Sequence, residues 1–392
     1  MTISFMIKTP VMGTHKQHSR KTGLMKHSYE VALLEEIERS RKSVIPAAAG
    51  EVGGTCPSNI AIVKYWGKRI FQIPMNPSLS MTLKEARTIT RMTYDYDPAR
   101  NRQEIKFLFE GREAPAFEER IATFVSRIQP YIPSLSHSAL RIESRNTFPH
   151  SSGIASSASS MAALAMCLVR FEQAVTGGVY PGDPMKKASF IARLGSGSAA
   201  RSLYPRFALW GRTDQWPGSS DEFAIPVTRF HQGFEGLRDA ILIVESGQKK
   251  VSSSAGHSLM ERNPFAPVRF NQAHENIKKL KPILEEGDWT GFISIMEEEA
   301  LTLHAMMMTG RPGYLLMQPG TVAILHRIME FREDTGYRAG FTLDAGANVH
   351  LLYSRKDADA VDQFIISELQ QYCEGGTMIM DRMGEGPEET GS

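Results

Sequence analysis

Apolar residues along the chain fall into short blocks of alternating or continuous type, interleaved with stretches where they recur every three or four positions. Ile60, Ile62 and Val63 open a buried-strand pattern; 86–96, 103–108 and 140–146 read as further strands, and 116–128 follows the helical period. A strand-like segment at 221–227, after the turn residues Gln215-Trp-Pro-Gly-Ser-Ser, closes a first half. A strand at 240–245 opens a second half, with helical patterns at 267–285, 290–308, 320–335 and 358–372 and strands around Phe341 and over 349–353. This order predicts an α+β protein in two lobes, 46–235 and 236–380. An extension, 1–45, precedes them, with an amphipathic helical pattern at 30–41, and a polar tail at 381–392 has little to bury.

Four segments carry chemistry. In Pro149-His-Ser-Ser-Gly-Ile-Ala-Ser-Ser-Ala-Ser-Ser a small, hydroxyl-rich turn runs straight into the apolar stretch 161–169. The first turn of a helix has unpartnered N–H groups and the positive end of the macrodipole, so Ser151, Ser152, Gly153, Ala155, Ser156, Ser157 and Ser159 form a candidate phosphate cradle. The plainer alternative is a serine-rich cap on a core helix. Upstream, Cys56-Pro-Ser-Asn-Ile-Ala-Ile-Val-Lys-Tyr-Trp-Gly-Lys-Arg embeds Lys64 and Lys68 in an apolar and aromatic run, an even number apart and so on one face of an extended chain. Two ammonium groups projected together call for anions; otherwise they are solvated surface lysines.

In the third segment, Gly195 and Gly197 end a helical pattern at 186–194, and Ser196, Ser198 and Arg201 follow at once. This reads as a second anion loop whose arginine grips bidentately, or as a flexible turn with an exposed arginine. The fourth places Asp344 between an apolar strand and Ala345, Gly346 and Ala347, where a carboxylate projects into a cleft or closes an Asx turn.

Composition narrows the field. A chain of 392 residues is longer than one core usually fills, and a net charge of +2 from 45 basic and 43 acidic residues gives no footprint for nucleic acid or a membrane surface. Three scattered cysteines, Cys56, Cys167 and Cys373, offer neither metal spacing nor a disulfide framework and suggest a reducing cytoplasm. The apolar run 161–169 is too short to span a bilayer, and the N-terminal stretch lacks the apolar core of a secretory signal.

In order and spacing, the Asn59 to Arg69 run, the serine loop, Gly195-Ser-Gly-Ser-Ala-Ala-Arg-Ser-Leu-Tyr, Lys249-Lys-Val-Ser-Ser-Ser-Ala-Gly and Asp344-Ala-Gly-Ala-Asn resemble the diphosphomevalonate decarboxylases of the GHMP kinase superfamily, over roughly residues 52–355. The resemblance implies a ribosomal protein S5 domain 2-like N-terminal lobe, a ferredoxin-like C-terminal lobe and an active site between them. It implies ATP-dependent decarboxylation of mevalonate 5-diphosphate, with ATP as co-substrate and Mg2+, and is compatible with a homodimer. By the same resemblance Asp344 faces the substrate 3-hydroxyl, Lys64 lies beside it, and Arg201 clamps the substrate carboxylate. Tyr65, Lys68, Ser196, Ser198 and Ser253 hold the diphosphate, Asn59 supports the Lys64 end, and 151–159 cradles ATP.

Departures are visible too. Leu203-Tyr-Pro-Arg-Phe replaces a Gly-Gly pair, Ser254 replaces an arginine or threonine, and Glu299-Ala-Leu-Thr-Leu-His304 turns a polar wall apolar, with His304 read as a packed core residue. Two other readings stay open: a related small-molecule kinase or a decarboxylase for a substrate with fewer phosphates, and a non-catalytic nucleotide-binding protein.

Overall fold

Residues 28–40, 46–149, 154, 156–178, 182–247 and 253–388 are described by the structure, a computed structural model. The chain divides into two units, 1–44 and 45–392. In the first, helix α1 (Tyr29–Ser40) starts where the Ser28 hydroxyl accepts the Val31 N–H at 3.2 Å, and it carries an exposed Glu35–Arg39 pair one turn apart.

Two long strands organise the N-terminal lobe of the second unit. β1 (Ala48–Val63) and β2 (Ser78–Tyr96) pair antiparallel from Ala48↔Tyr96 to Val63↔Leu79. Around them lie β3 (Glu104–Phe109), β4 (Arg112–Glu113), α2 (Pro115–Ile128), β5 (Ser138–Asn146), α3 (Ser156–Val175), α4 (Pro184–Gly195), β6 (Phe207–Trp210) and β7 (Ala224–Val227). The sheet order is β4-β3-β5-β2-β6-β7, with β1 on β2; β3 and β5 run parallel and the other pairs antiparallel. β1 begins well before the predicted Ile60. Gly50, Gly53, Gly54 and Pro57 hid it, being poor strand formers. Gly54 is needed there, because a Cβ would lie 2.7 Å from the Ala163 carbonyl of α3, which crosses β1 closely on alanines.

The C-terminal lobe contains β8 (Arg238–Leu242), α5 (Ser253–Leu259), α6 (Ala266–Glu286), α7 (Trp289–Met308), α8 (Pro319–Thr335), β9 (Ala339–Leu343), β10 (Val349–Tyr353), α9 (Ala358–Phe364) and β11 (Met378–Arg382). Its antiparallel sheet has the order β11-β8-β10-β9. α6 ends at left-handed Gly287, and Asp288 caps α7 by accepting the Gly291 N–H at 3.0 Å, so the two helices form a tight hairpin. One apolar core runs through both lobes, from Ile62, Leu79 and Phe207 to Ile241, Ile277 and Phe292.

The tail does not behave as its polar sequence suggested. Asp381, 3% exposed, accepts backbone N–H groups of Lys84 (3.0 Å), Glu85 (2.9 Å) and Ala86 (2.8 Å) from β2. Met383 bridges Leu83, the Gly384 N–H reaches the Thr82 carbonyl at 2.8 Å, and Glu388 bridges Thr55. The segment therefore bonds the C-terminal lobe back onto the N-terminal sheet. It also accounts for the Pro205-Arg206 departure. Arg206 takes the left-handed conformation favoured by glycine (φ 57°), and the Gly384 carbonyl accepts its N–H at 2.8 Å while Glu385 pairs with its guanidinium.

A buried carboxyl that accepts three N–H groups of β2 and that of Arg382 predicts that Asp381→Asn removes about 2 kcal/mol of stability. A thermal melt of the variant beside the parent checks this, and an unchanged midpoint would remove the tail from the stabilising contacts.

Candidate active site

The last residue of β1, Val63, and the last of β9, Leu343, deliver their successors to one place: Lys64 Nζ lies 3.2 Å from Asp344 Oδ1. Thr342, two residues before Asp344, donates its hydroxyl to the Ala61 carbonyl at 3.4 Å and ties the strands together. Lys64 is 2% exposed and Asp344 29%, so the ammonium is enclosed and the carboxylate opens toward solvent. Burial pulls the Lys64 ammonium below its ordinary range, against the opposing pull of Asp344 and Glu299.

Lys68 does not share a face with Lys64. The extended chain stops at Val63, and Gly67 turns left-handed (φ 93°), where a Cβ would meet the Phe270 ring at 2.6 Å. Lys68 is half-buried, and burial and then Arg127 push its ammonium down, a cationic setting that suits an anion. Between the lysines, Trp66 stacks on His257 (4.8 Å, 30°), and Tyr65 packs against both His257 and Trp210. The Tyr65 hydroxyl donates to Gln72 Oε1 at 3.5 Å. Its phenol is pushed up by burial.

The second anion loop is a 3₁₀ helix, Gly197–Leu203, and Arg201 within it is buried at 2% exposure rather than displayed. Its Nε donates to Ser80 Oγ at 2.9 Å, NH1 to Ser78 Oγ at 2.5 Å, and NH2 to Asn59 Oδ1 at 3.4 Å. Burial lowers the guanidinium to about 10, opposed by Asp344 and Tyr65, so it is charged at neutral pH and within electrostatic reach of Asp344. Asn59 does not support the Lys64 end as expected. Its amide donates to Ser202 Oγ (2.7 Å) and the Ser198 carbonyl (3.2 Å), holding the Arg201 turn. Gly197 is obligatory here, since a Cβ would sit 2.7 Å from Trp210 and 2.8 Å from Tyr65. Ser78 and Ser80 were missed in the sequence, although the alternation Ser78-Leu-Ser-Met-Thr82, hydroxyl on one face and apolar on the other, was a legible signal.

The two candidate anion segments meet through hydroxyls: Ser157 Oγ lies 3.4 Å from Ser196 Oγ, which lies 3.4 Å from Ser198 Oγ. Ser156 begins α3 and bonds back to the Ile154 carbonyl. Ser159 is a correction: it is fully buried, 2.7 Å from Thr88 Oγ1, and faces the helix–sheet contact rather than a ligand. Ser151, Ser152, Gly153 and Ala155 lie outside the described residues, as do the side chains of Ser253 and Ser254.

The wall of α7 is not apolar. Glu299, 0% exposed, accepts from Arg269 NH2 (2.5 Å) and NH1 (3.2 Å), Asn276 Nδ2 (2.8 Å) and the Lys64 backbone N–H (2.8 Å). His304 is a buried residue, as read, but Nε2 also lies 3.1 Å from the Asp344 carbonyl, which accepts the Gly346 N–H as well.

Burial holds His304 down to about 4 and His257 down to about 3, and His257 Nδ1 accepts the Gly67 N–H at 2.9 Å. Both imidazoles are therefore neutral at pH 7. An unfolded chain takes up a proton at each below about 6.5, while the folded protein refuses it until the lowered values. Stability is thus complete above pH 6.5 and is lost on acidification toward 4, by up to about 1.4 kcal/mol per pH unit per histidine. Melts at pH 7 and pH 5 should show that loss, and it should shrink in His257→Asn and His304→Gln; equal loss in parent and variants would contradict it.

Residues 56–224 match the diphosphomevalonate decarboxylase-like N-terminal domain, and residues 240–389 the mevalonate 5-diphosphate decarboxylase C-terminal domain. The diphosphomevalonate decarboxylase of Gibberella zeae is 30% identical over 321 residues, covering 78% of this chain and 82% of that protein. The human enzyme of that name is 29% identical over 311 residues, covering 75% and 74%. The crystal structure of mevalonate diphosphate decarboxylase from Staphylococcus aureus superposes with a TM-score of 0.75 at 27% identity, covering 87% of this chain and 98% of that one. MDDEF in complex with MVAPP, AMPPCP and magnesium gives a TM-score of 0.73 at 27% identity, covering 87% and 100%. Two domain matches in sequence order, a relative matched over most of both chains and a shared two-lobed α+β architecture lead to one conclusion: the chain belongs to the diphosphomevalonate decarboxylase family.

Proposed function

We propose that this protein catalyses the ATP-dependent decarboxylation of mevalonate 5-diphosphate, giving isopentenyl diphosphate, ADP, phosphate and carbon dioxide. The observation that carries the proposal is the Lys64–Asp344 pair, one buried ammonium against one accessible carboxylate, with the Arg201 guanidinium in electrostatic reach.

The substrate is a small polyanion whose tertiary 3-hydroxyl lies between a carboxylate and a diphosphate. Asp344 takes the hydroxyl proton as that oxygen attacks the γ-phosphorus of ATP; the new O–P bond forms and the bond to ADP breaks. Lys64 keeps Asp344 in place and balances its charge. The tertiary phosphate then leaves with its C–O electron pair, the carboxylate C–C bond breaks, and those electrons form the double bond as carbon dioxide departs. Arg201 holds the carboxylate by the N–H groups that Ser78, Ser80 and Asn59 leave over, one on each terminal nitrogen, which fixes the breaking C–C bond against the leaving phosphate.

Tyr65, Lys68, Ser196 and Ser198 form the diphosphate side of the site, and Ser156 and Ser157 the nucleotide side. Among the described residues no three His, Cys, Asp or Glu side chains gather as a metal cage. The hydroxyls of Ser157, Ser196 and Ser198 are hard oxygen donors of the kind that suit magnesium arriving on a triphosphate, where it screens phosphate charge.

Purified protein with magnesium-ATP and, in parallel, mevalonate, its 5-phosphate or its 5-diphosphate tests the reading. Equal release of ADP and carbon dioxide with the diphosphate alone is expected; ADP without carbon dioxide would make it a kinase, and silence with all three would make it a binding protein. Asp344→Asn should bind both substrates and lose about a hundredfold or more in kcat, and turnover within a few-fold of the parent would sink its role. Arg201→Lys, which keeps the charge and loses the fork, should slow carbon dioxide release far more than it weakens ATP binding.

A further inference from the structure

The pair at the centre of the site is held by a single helix. α7 carries Glu299, whose Oε2 takes the Lys64 backbone N–H at 2.8 Å, and five residues later His304, whose Nε2 lies 3.1 Å from the Asp344 carbonyl. The Lys64 peptide has left the β ladder at Val63, so neither its N–H nor its C=O has a strand partner. Glu299 takes the N–H; the carbonyl accepts from Asn76 Nδ2 at 3.0 Å and Arg269 NH2 at 3.5 Å. Arg269 and Asn276, both on α6, in turn fix the Glu299 carboxylate. Asn76, Arg269, Asn276, Glu299 and His304 are each 2% exposed or less, so no solvent competes for these bonds.

Resting on the decarboxylase reading above, we propose that α7 sets the spacing of the reacting pair, with Glu299 and His304 as positioning residues that act through the Lys64 and Asp344 backbones. The physical case is that each end of the pair comes from a different lobe and from the irregular residue just past a strand end, where a ladder no longer dictates position. A helix is stiff over five residues, so anchoring both backbones to it converts two loosely determined positions into one fixed distance. His304 serves as a neutral donor: burial keeps its imidazole uncharged, so Nε2–H donates to the Asp344 carbonyl.

Two variants of His304 separate positioning from packing. Gln places an amide donor near the site of Nε2, while Leu fills the space without one. His304→Leu should lower kcat about tenfold or more with KM for both substrates within about threefold, since a misplacement well under 1 Å is enough for that. His304→Gln should recover most of the loss. If Leu matches Gln in kcat, the hydrogen bond does no positioning and the proposal fails.

For Glu299, the double variant Glu299→Leu with Arg269→Met removes both buried charges together, a change that proteins often tolerate. It should stay folded with a lowered melting point, because the Lys64 N–H and the Asn276 amide lose their acceptor, while kcat falls about tenfold and the Lys64 amide exchanges with solvent much faster than the Ile62 amide. A folded double variant with parental kcat and an unchanged Lys64 amide would overturn the assignment. The amide measurement needs no turnover, so it stands even if the parent proves inactive on mevalonate 5-diphosphate, an outcome that would sink the decarboxylase reading instead.

Discussion

An ammonium enclosed at 2% exposure needs a partner, and Lys64 has one in Asp344 at 3.2 Å. Much of the molecule serves that contact. The two residues belong to different lobes and lie far apart in the sequence, so the contact exists only when the lobes are docked. The docking is secured on either side: by Thr342 bonding β9 to β1, and by the tail from Asp381 to Glu388 bonding the C-terminal lobe onto β1 and β2. An uncompensated charge in that position would be strongly destabilising, so the Lys64–Asp344 pair is also a constraint on the fold.

Other buried charges follow the same rule. Arg201 donates to two hydroxyls and an amide oxygen rather than to a carboxylate, with Asp344 in electrostatic reach. Arg269 pairs with Glu299, and Lys187 with Glu172 at 2.5 Å between α3 and α4. A buried guanidinium can thus be satisfied by neutral dipoles alone, and a buried cation that braces two helices by a carboxylate.

The departures from the family pattern fall into place by the same reasoning. Arg206 tolerates a left-handed backbone because its N–H, carbonyl and guanidinium are all engaged, the first and last by the tail and the carbonyl by the Thr82 N–H at 2.7 Å. A polar side chain held at both ends replaces the conformational freedom of a glycine. The Glu299 wall keeps its polar function with its carboxylate turned inward, which a reading of side-chain polarity along α7 does not reveal.

The sequence by itself determined the two-lobed α+β order and most helices, and it singled out Lys64 and Asp344, which the fold brings into contact, because periodicity and uninterrupted motifs are local signals. It misjudged β1 between Ala48 and Pro57, where Gly54 lets α3 approach, and the tail, whose Asp381 meets β2 amides that no local window contains. Which face a residue turns was decided only by tertiary structure. Ser159 turned inward to Thr88, Asn59 toward Arg201, and Glu299 and His304 toward the backbones of the reacting pair. The physical reason is that hydrogen bonds between residues distant in sequence depend on how strands and helices are brought together, and a residue's type states only what it can donate or accept, not which partner the fold presents.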